Sequence, residues 1–234
     1  MVQSQLYNQD PRDIAVYCPR QAAHYIDIHP ATLKTWFSGR NYPTQTGTAH
    51  FQAVLEPAGQ EPTMLSFNNL VEALVLKLLR KRHKVPMKTI REALEVAGNE
   101  LSIERPLLRN TLHVSFGELF VEHFGRMKHL RADQQLALKE YFAAHAQRVD
   151  MDSDLHPIRY YPTVSIWQEL NAKTSKPIVI DPYVGFGKPT VANAGVSTDV
   201  IVERINAGET VDNLAYDYTI PTSHIKAAVA FHGT

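Results

Sequence analysis

Residues 19–37, PRQAAHYIDIHPATLKTWF, decide how this chain is read. They predict two short helices joined by a tight turn. Pro19 suits the first position of a helix, where the missing N–H costs little. Ala22 and Ala23 are small enough to let another helix cross closely, Ile28 is an apolar turn residue, and Pro30 opens the second helix. Leu33 and Trp36 stand at i and i+3, so one edge of that helix is anchored in a core. Thr32, Lys34 and Thr35 fall on the other edge. A short helix with a buried apolar edge and an exposed hydroxyl and amine edge is what a helix-turn-helix places in the DNA major groove. Pairs of short amphipathic helices also occur in domains that never meet DNA, so the flanking segments must decide.

Gly39-Arg40-Asn41-Tyr42-Pro43 follows the second helix directly. Residues 51–55 are apolar and strand-like, 56–62 are rich in turn formers, and Met64-Leu65-Ser66-Phe67 comes next, which predicts a hairpin, or wing, over 51–67. Residues 68–82 then read as a helix, with Leu70, Val71, Leu74, Val75 and Leu78 near helical spacing. In this order the elements resemble the winged DNA-binding domain of MerR-type regulators. The residues that carry the resemblance are the AA…PATLKTW run, the GRNYP stretch and LVEALVLKLLRKRHKVPMKTIREAL. The resemblance covers roughly the first hundred residues. It implies that the last of these segments is a helix, a turn and a second helix flanking the DNA.

The formal net charge of the 234 residues is zero, yet seven Lys or Arg and no acid lie between Lys77 and Arg91 (Lys77, Arg80, Lys81, Arg82, Lys84, Lys88, Arg91). Distribution matters more than the sum for a nucleic-acid binder. The expected DNA set is therefore Thr32, Lys34, Thr35, Arg40 and Tyr42 near the recognition helix, with Arg80, Lys81, Arg82, Lys84 and Lys88 on the backbone. The alternative for the run is a solvated helix end, where cations are favourable.

A hydrophobic content of 44% can bury an ordinary core, and the length suggests one or two domains. The one cysteine, Cys18, excludes an intramolecular disulfide framework. No N-terminal run resembles a signal peptide and no stretch reaches the ~18 apolar residues of a membrane span. A cytoplasmic protein is expected.

In the middle, residues 111–117 and 119–124 read as two strands around Gly117-Glu118, 134–148 as a helix with Leu136, Leu138, Tyr141, Phe142 and Ala146 inward, and 159–164 as a strand. Residues 150–157 are expected to be a loop. Near the C-terminus, Thr198 is expected to cap a helix running to about Asn206 that Gly208 stops. A second helix over 210–217 should bury Val211, Leu214, Ala215 and Tyr218; a third over 222–231 should bury Ile225, Ala228 and Val229 and expose Ser223, His224, Lys226 and Ala227. The pattern repeats the logic of residues 19–37. Its acidic balance makes it a poor polyanion binder, so its expected role is a dimer or partner contact through Tyr216, His224, Lys226 and Phe231.

This segment and its lead-in KPIVIDPYVGFGKPTVANAGVST resemble a small helical domain of unknown function that recurs among antitoxins of VapBC-type toxin–antitoxin modules. The matching residues are Ile180-Asp181-Pro182, Gly187-Lys188-Pro189, Gly195-Val196-Ser197, Ile205-Asn206-Ala207-Gly208 and the core over 214–228. Asn193 stands where that domain usually has glycine, and Ile220-Pro221 replaces its usual Pro-x-Leu turn. The order of parts resembles the longer VapB-type antitoxins. The resemblance implies an antitoxin and autorepressor that binds operator DNA as a homodimer and silences a VapC-type PIN-domain ribonuclease. Two other readings remain: a stand-alone MerR-like regulator with an effector site in its middle, and a scaffold whose helix-turn-helix units contact only protein.

The expected fold class is mainly α with small β elements: a winged helix-turn-helix over 1–110, a mixed α+β connecting module over 111–170 and a second helix-turn-helix over 171–234. Motifs of other classes fail. Gly185-Phe-Gly187-Lys188 is followed by Pro189, not by the Ser or Thr and helix of a phosphate loop, and reads as a hairpin turn. Asp150, Asp152 and Asp154 alternate as in a calcium loop, but Leu155 stands where its glycine belongs. The eleven histidines lack metal-ligand spacing, and no nucleophile motif is present. No enzyme, metal or cofactor is expected.

Overall fold

The computed structural model describes residues 9–81, 86–99, 105–108, 148–154, 156–164 and 176–233. Contacts divide the chain into two compact units, Asp13–Pro157 and Met1–Arg12 with Ile158–Thr234. The fold is mainly α-helical with small β elements, a helix-turn-helix near the N-terminus and a helical C-terminal part. The strands expected over 111–124 and most of the helix expected over 134–148 lie outside the described residues, as do Arg82 and Lys84.

In the Asp13–Pro157 unit, α1 (Pro19–Tyr25) and α2 (Pro30–Ser38) form as the sequence implies. Both begin with proline at the first helical position. Gln21 Oε1 accepts from Cys18 N at 3.1 Å, and His29 Nδ1 accepts from Ala31 N at 3.2 Å, so each first turn has a partner for an otherwise orphaned N–H. Ala22 and Ala23 are fully buried, with Leu33, Trp36 and Phe37 opposite them in the core. Gly39 ends α2 at φ 66° and turns the chain into β1 (Arg40–Thr44). A Cβ at Gly39 would stand 2.4 Å from Phe51 O, so only glycine fits.

The wing is not the hairpin read from 51–67. β1 pairs antiparallel with β2 (Gly47–Phe51), Arg40 opposite Phe51 and Thr44 opposite Gly47, leaving Gln45-Thr46 as the loop. Every residue of β1 is exposed, so the strand shows no apolar alternation to be read. Residues 52–55 are not strand; a two-residue pair, β3 (Gly59–Gln60) and β4 (Thr63–Met64), forms beyond them.

α3 (Phe67–Lys81) is buried on every side from Phe67 to Leu76, not along one stripe. Its N-terminus carries a reciprocal cap: Ser66 Oγ accepts from Asn69 N, and Asn69 Oδ1 accepts from Ser66 N, each at 3.2 Å. Asn69 also accepts from Ala58 N and donates to Glu56 O, binding the loop ahead of β3 to the helix. Glu72, 7% exposed, accepts a two-pronged bond from Arg105. A buried carboxylate is tolerated only with such a partner. α4 (Met87–Asn99) adds Ile90 to the core, and the turn over Pro106–Leu108 adds Leu107 and Leu108. β5 (Val149–Met151) runs into the segment expected to be a loop; Asp152 then accepts from Asp154 N and His156 N, which makes a local turn rather than a cation loop.

In the other unit, β6 (Pro157–Tyr160) is shorter than the strand expected over 159–164. Tyr160 bridges Ile180, and β7 (Ile178–Val179) pairs antiparallel with β8 (Thr190–Val191). The glycine motif lies in the loop of that hairpin, as a single 3-10 turn over Gly185–Gly187, and a strand follows it rather than a helix. Three helices close the unit: α5 (Thr198–Asn206), α6 (Val211–Tyr218) and α7 (Thr222–His232). Ser197, not Thr198, caps α5, accepting from Asp199 N at 3.3 Å; Thr198 is fully buried. Thr210 caps α6, accepting from Asn213 N at 3.2 Å. Ile201, Leu214, Ile225 and Ala228 meet in the core with Ile178, Ile180 and Val191. Ala227 is buried there too, against the expectation of an exposed edge, while Val211, Ala215, Tyr218 and Val229 are only half-buried.

Candidate nucleic-acid interface

α2 offers its outer face because Leu33, Trp36 and Phe37 hold the other in the core. Thr32 and Lys34 are exposed. Thr35 is half-buried, and its hydroxyl donates to Ala31 O at 2.8 Å, which leaves it an acceptor only. Thr32, Thr35 and Arg40 line a cleft of about 520 Å³ that opens between α2, the hairpin and the ends of α3 and α4, with Lys77, Arg80, Phe51 and Met87 on its other walls. The structure thus brings Thr32, Thr35, Arg40 and Arg80 to one concavity. Lys34 stands two positions beyond Thr32, some 200° further round the helix, and does not line it. Tyr42 is exposed further along β1.

The cationic run divides by partner. Lys77 reaches back to the helix-turn-helix turn, where Nζ donates to Ile26 O at 2.7 Å and to Asp27 at 3.2 Å. Arg91 lies over the Phe51 ring, 4.7 Å from its centroid, and donates to Ala53 O at 3.1 Å and to Gln52 O. These two cations hold α3 to the turn and α4 to the hairpin, so the run is not uniformly a phosphate surface. Arg80 is exposed, and Lys88 is exposed with Glu92 at 3.9 Å one turn on. The backbone of Lys81 closes α3.

The C-terminal contact set also divides. Tyr216 is 86% exposed and Lys226 is exposed. Phe231, expected at a partner surface, is 3% exposed and belongs to the core, because α7 packs that edge against α5 and the β7–β8 hairpin. His224 is half-buried; its Nδ1 has no partner among the described residues, and desolvation holds its pKa below the ordinary histidine value.

Sequence reasoning missed the polar set at the root of α3, Asn69, Glu72 and Arg105. The only local signal was Ser66 three residues before Asn69. Among the described residues, no group of three or more His, Cys, Asp or Glu could hold a metal ion, and no helix is long and apolar enough to cross a membrane.

The fold and this face define a chain with an N-terminal helix-turn-helix domain and a separate C-terminal helical domain. Comparison with known proteins agrees. Residues 15–94 match the family described as "Putative DNA-binding HTH domain", and residues 178–232 match "Protein of unknown function (DUF433)". Two relatives from Mycobacterium tuberculosis are each 25% identical: "Putative antitoxin VapB45", with 93% of each chain covered, and "Uncharacterized protein Rv2308", with 94% of this chain and 90% of the relative covered. The crystal structure of Rv2018 from the same organism has this fold, with a TM-score of 0.64 at 21% identity over 92% of this chain and 98% of that one.

Proposed function

We propose that this chain is a VapB-type antitoxin and autorepressor: a cytoplasmic homodimer that binds operator DNA and neutralises a VapC-type PIN-domain ribonuclease. The observation that carries the DNA half is the cleft beside α2, where two threonines and two arginines from three elements face one space. In this reading α2 enters the major groove as a MerR-type recognition helix. Lys34 and Arg40 meet base edges and phosphates, Thr32 accepts or donates and Thr35 accepts at the groove wall, and Arg80 and Lys88 hold phosphates, with Tyr42 at the hairpin. Residues 111–170 connect this part to a C-terminal domain that serves the dimer or the toxin. The antitoxin half is supported by the near full-length relative that bears that description.

The test has two arms. Anisotropy titration with the chain's own promoter DNA at fixed salt should lose about 1–3 kcal/mol for each base contact removed in Lys34→Ala and Arg40→Ala. Unchanged affinity in both variants refutes the assignment of this face. Co-purification with the product of the neighbouring gene tests the second half, and a chain that binds DNA but leaves that product alone and active is a regulator without an antitoxin role.

A further inference from the structure

The β7–β8 loop presents a feature that DNA binding does not use. Tyr183, Val184 and Phe186 are 57%, 40% and 88% exposed within four residues. Isolated exposed apolar residues need no explanation, but three on one short turn do. The turn is also built. Gly185, Phe186 and Gly187 have φ of 57°, 56° and 74°, so the phenylalanine sits in a left-handed position that a side chain normally avoids. Three bonds hold the backbone there: Val184 N to Asp181 O and Gly187 N to Val184 O, both 3.0 Å, and Lys188 N to Gly185 O at 3.1 Å. At its root the buried carboxylate of Asp181 accepts from Tyr183 N at 2.9 Å and from Arg159 Nε at 2.8 Å. An exposed ring on a rigid turn loses little entropy on docking, which is the condition for an interface anchor.

The charge around the ring says what it fits. Lys188 is exposed two residues on, and Arg159 is exposed at the root. Of the carboxylates near, Asp181 is buried and paired, and Asp10, which accepts from the Tyr183 hydroxyl at 3.4 Å, is paired with Arg12. A polyanion is a poor occupant, since residues 176–233 hold six acids against four Lys or Arg, with no cationic track for a backbone. A second copy offers the cleft beside α2, whose Arg40, Lys77 and Arg80 repel Lys188. We propose that the Tyr183–Lys188 loop is the anchor that docks Phe186 into an apolar pocket, rimmed by carboxylates, on a protein partner. The assignment rests on the antitoxin reading above and names the element that makes that contact.

The experiment uses the full chain and the protein encoded beside it, with affinity measured by calorimetry. Phe186→Gly deletes the ring and keeps the turn, because glycine adopts the left-handed conformation freely. It should weaken binding about 30-fold or more while thermal stability and promoter affinity hold. Lys188→Glu should weaken it as well and abolish its salt dependence. If the wild type binds and Phe186→Gly stays within twofold, the loop assignment falls and the antitoxin reading stands. If Phe186→Gly instead shifts the oligomeric mass, or loses only single-stranded RNA, the occupant is another copy or a nucleic acid and the proposal is wrong. If the wild type does not bind, both readings fall.

Discussion

Replacing Lys77 by methionine distinguishes a structural cation from a phosphate contact. The side chain is 18% exposed, and its ammonium donates to the carbonyl of the buried Ile26. Methionine keeps the apolar stem inside α3 and leaves that carbonyl without its donor. A hydrogen bond to a charged group, or the desolvation cost of losing it, is worth about 1.5–3 kcal/mol. The pair with Asp27 adds little, since that carboxylate is 83% exposed and screened. The loss should total about 1.5–3 kcal/mol, and at about 2–4 °C per kcal/mol for a unit of this size Tm falls by about 3–12 °C. Urea unfolding can follow Trp36, which is buried beside the turn, in a Trp167→Phe background that leaves one reporter. Lys77→Met should keep the wild-type salt slope of DNA binding when measured well below its midpoint. An unchanged urea midpoint, together with a slope smaller by about one unit, would refute the structural role and make Lys77 a phosphate contact.

The same division governs the rest of the run. Each phosphate neutralised contributes about −0.9 to the log–log salt slope, so Arg80→Ala or Lys88→Ala should flatten it by about one unit per protomer, and Arg91→Ala should leave it unchanged while lowering stability; an equal change in all three contradicts the assignment. The lowered pKa of His224 gives the C-terminal unit a pH dependence of known sign. The unfolded chain binds the proton more readily than the folded one, so stability is full above about pH 6.5 and declines as pH falls from there through the folded value. His224→Leu should flatten this decline in thermal melts, and an identical slope in wild type and variant excludes this histidine as its source.

Much of the molecule was legible because its signals are local. Pro19 and Pro30 mark helix starts through a fixed φ and a missing N–H, Gly208 stops a helix at φ 97°, and Leu33 with Trp36 defines a buried edge. The cap of α5 fell one residue earlier than expected, on Ser197. Such terms act over a few residues and survive in any context. The exposure of Thr32 and Lys34 on α2 was legible for the same reason, whereas Thr35 is half-buried. The hairpin was not, because a ribbon exposed on both faces has no period to read; its register follows from Gly39 and the two-residue turn, and Arg91 covers Phe51 from a helix 40 residues away in sequence.

Composition and order alone determined the class of this chain: helices with small strands, a helix-turn-helix near the N-terminus with cations gathered beside it, and a helical C-terminal part. Tertiary structure decided what the individual groups do. Seven like charges in a row looked alike until packing set Lys77 against a carbonyl and Arg91 against an aromatic ring. Phe231 and Phe186 are the same residue type, and only the fold buries one and strands the other on a turn. A backbone preference is carried by a residue and its neighbours, whereas the partner of a long side chain lies wherever the chain returns, and that is settled only when the core closes.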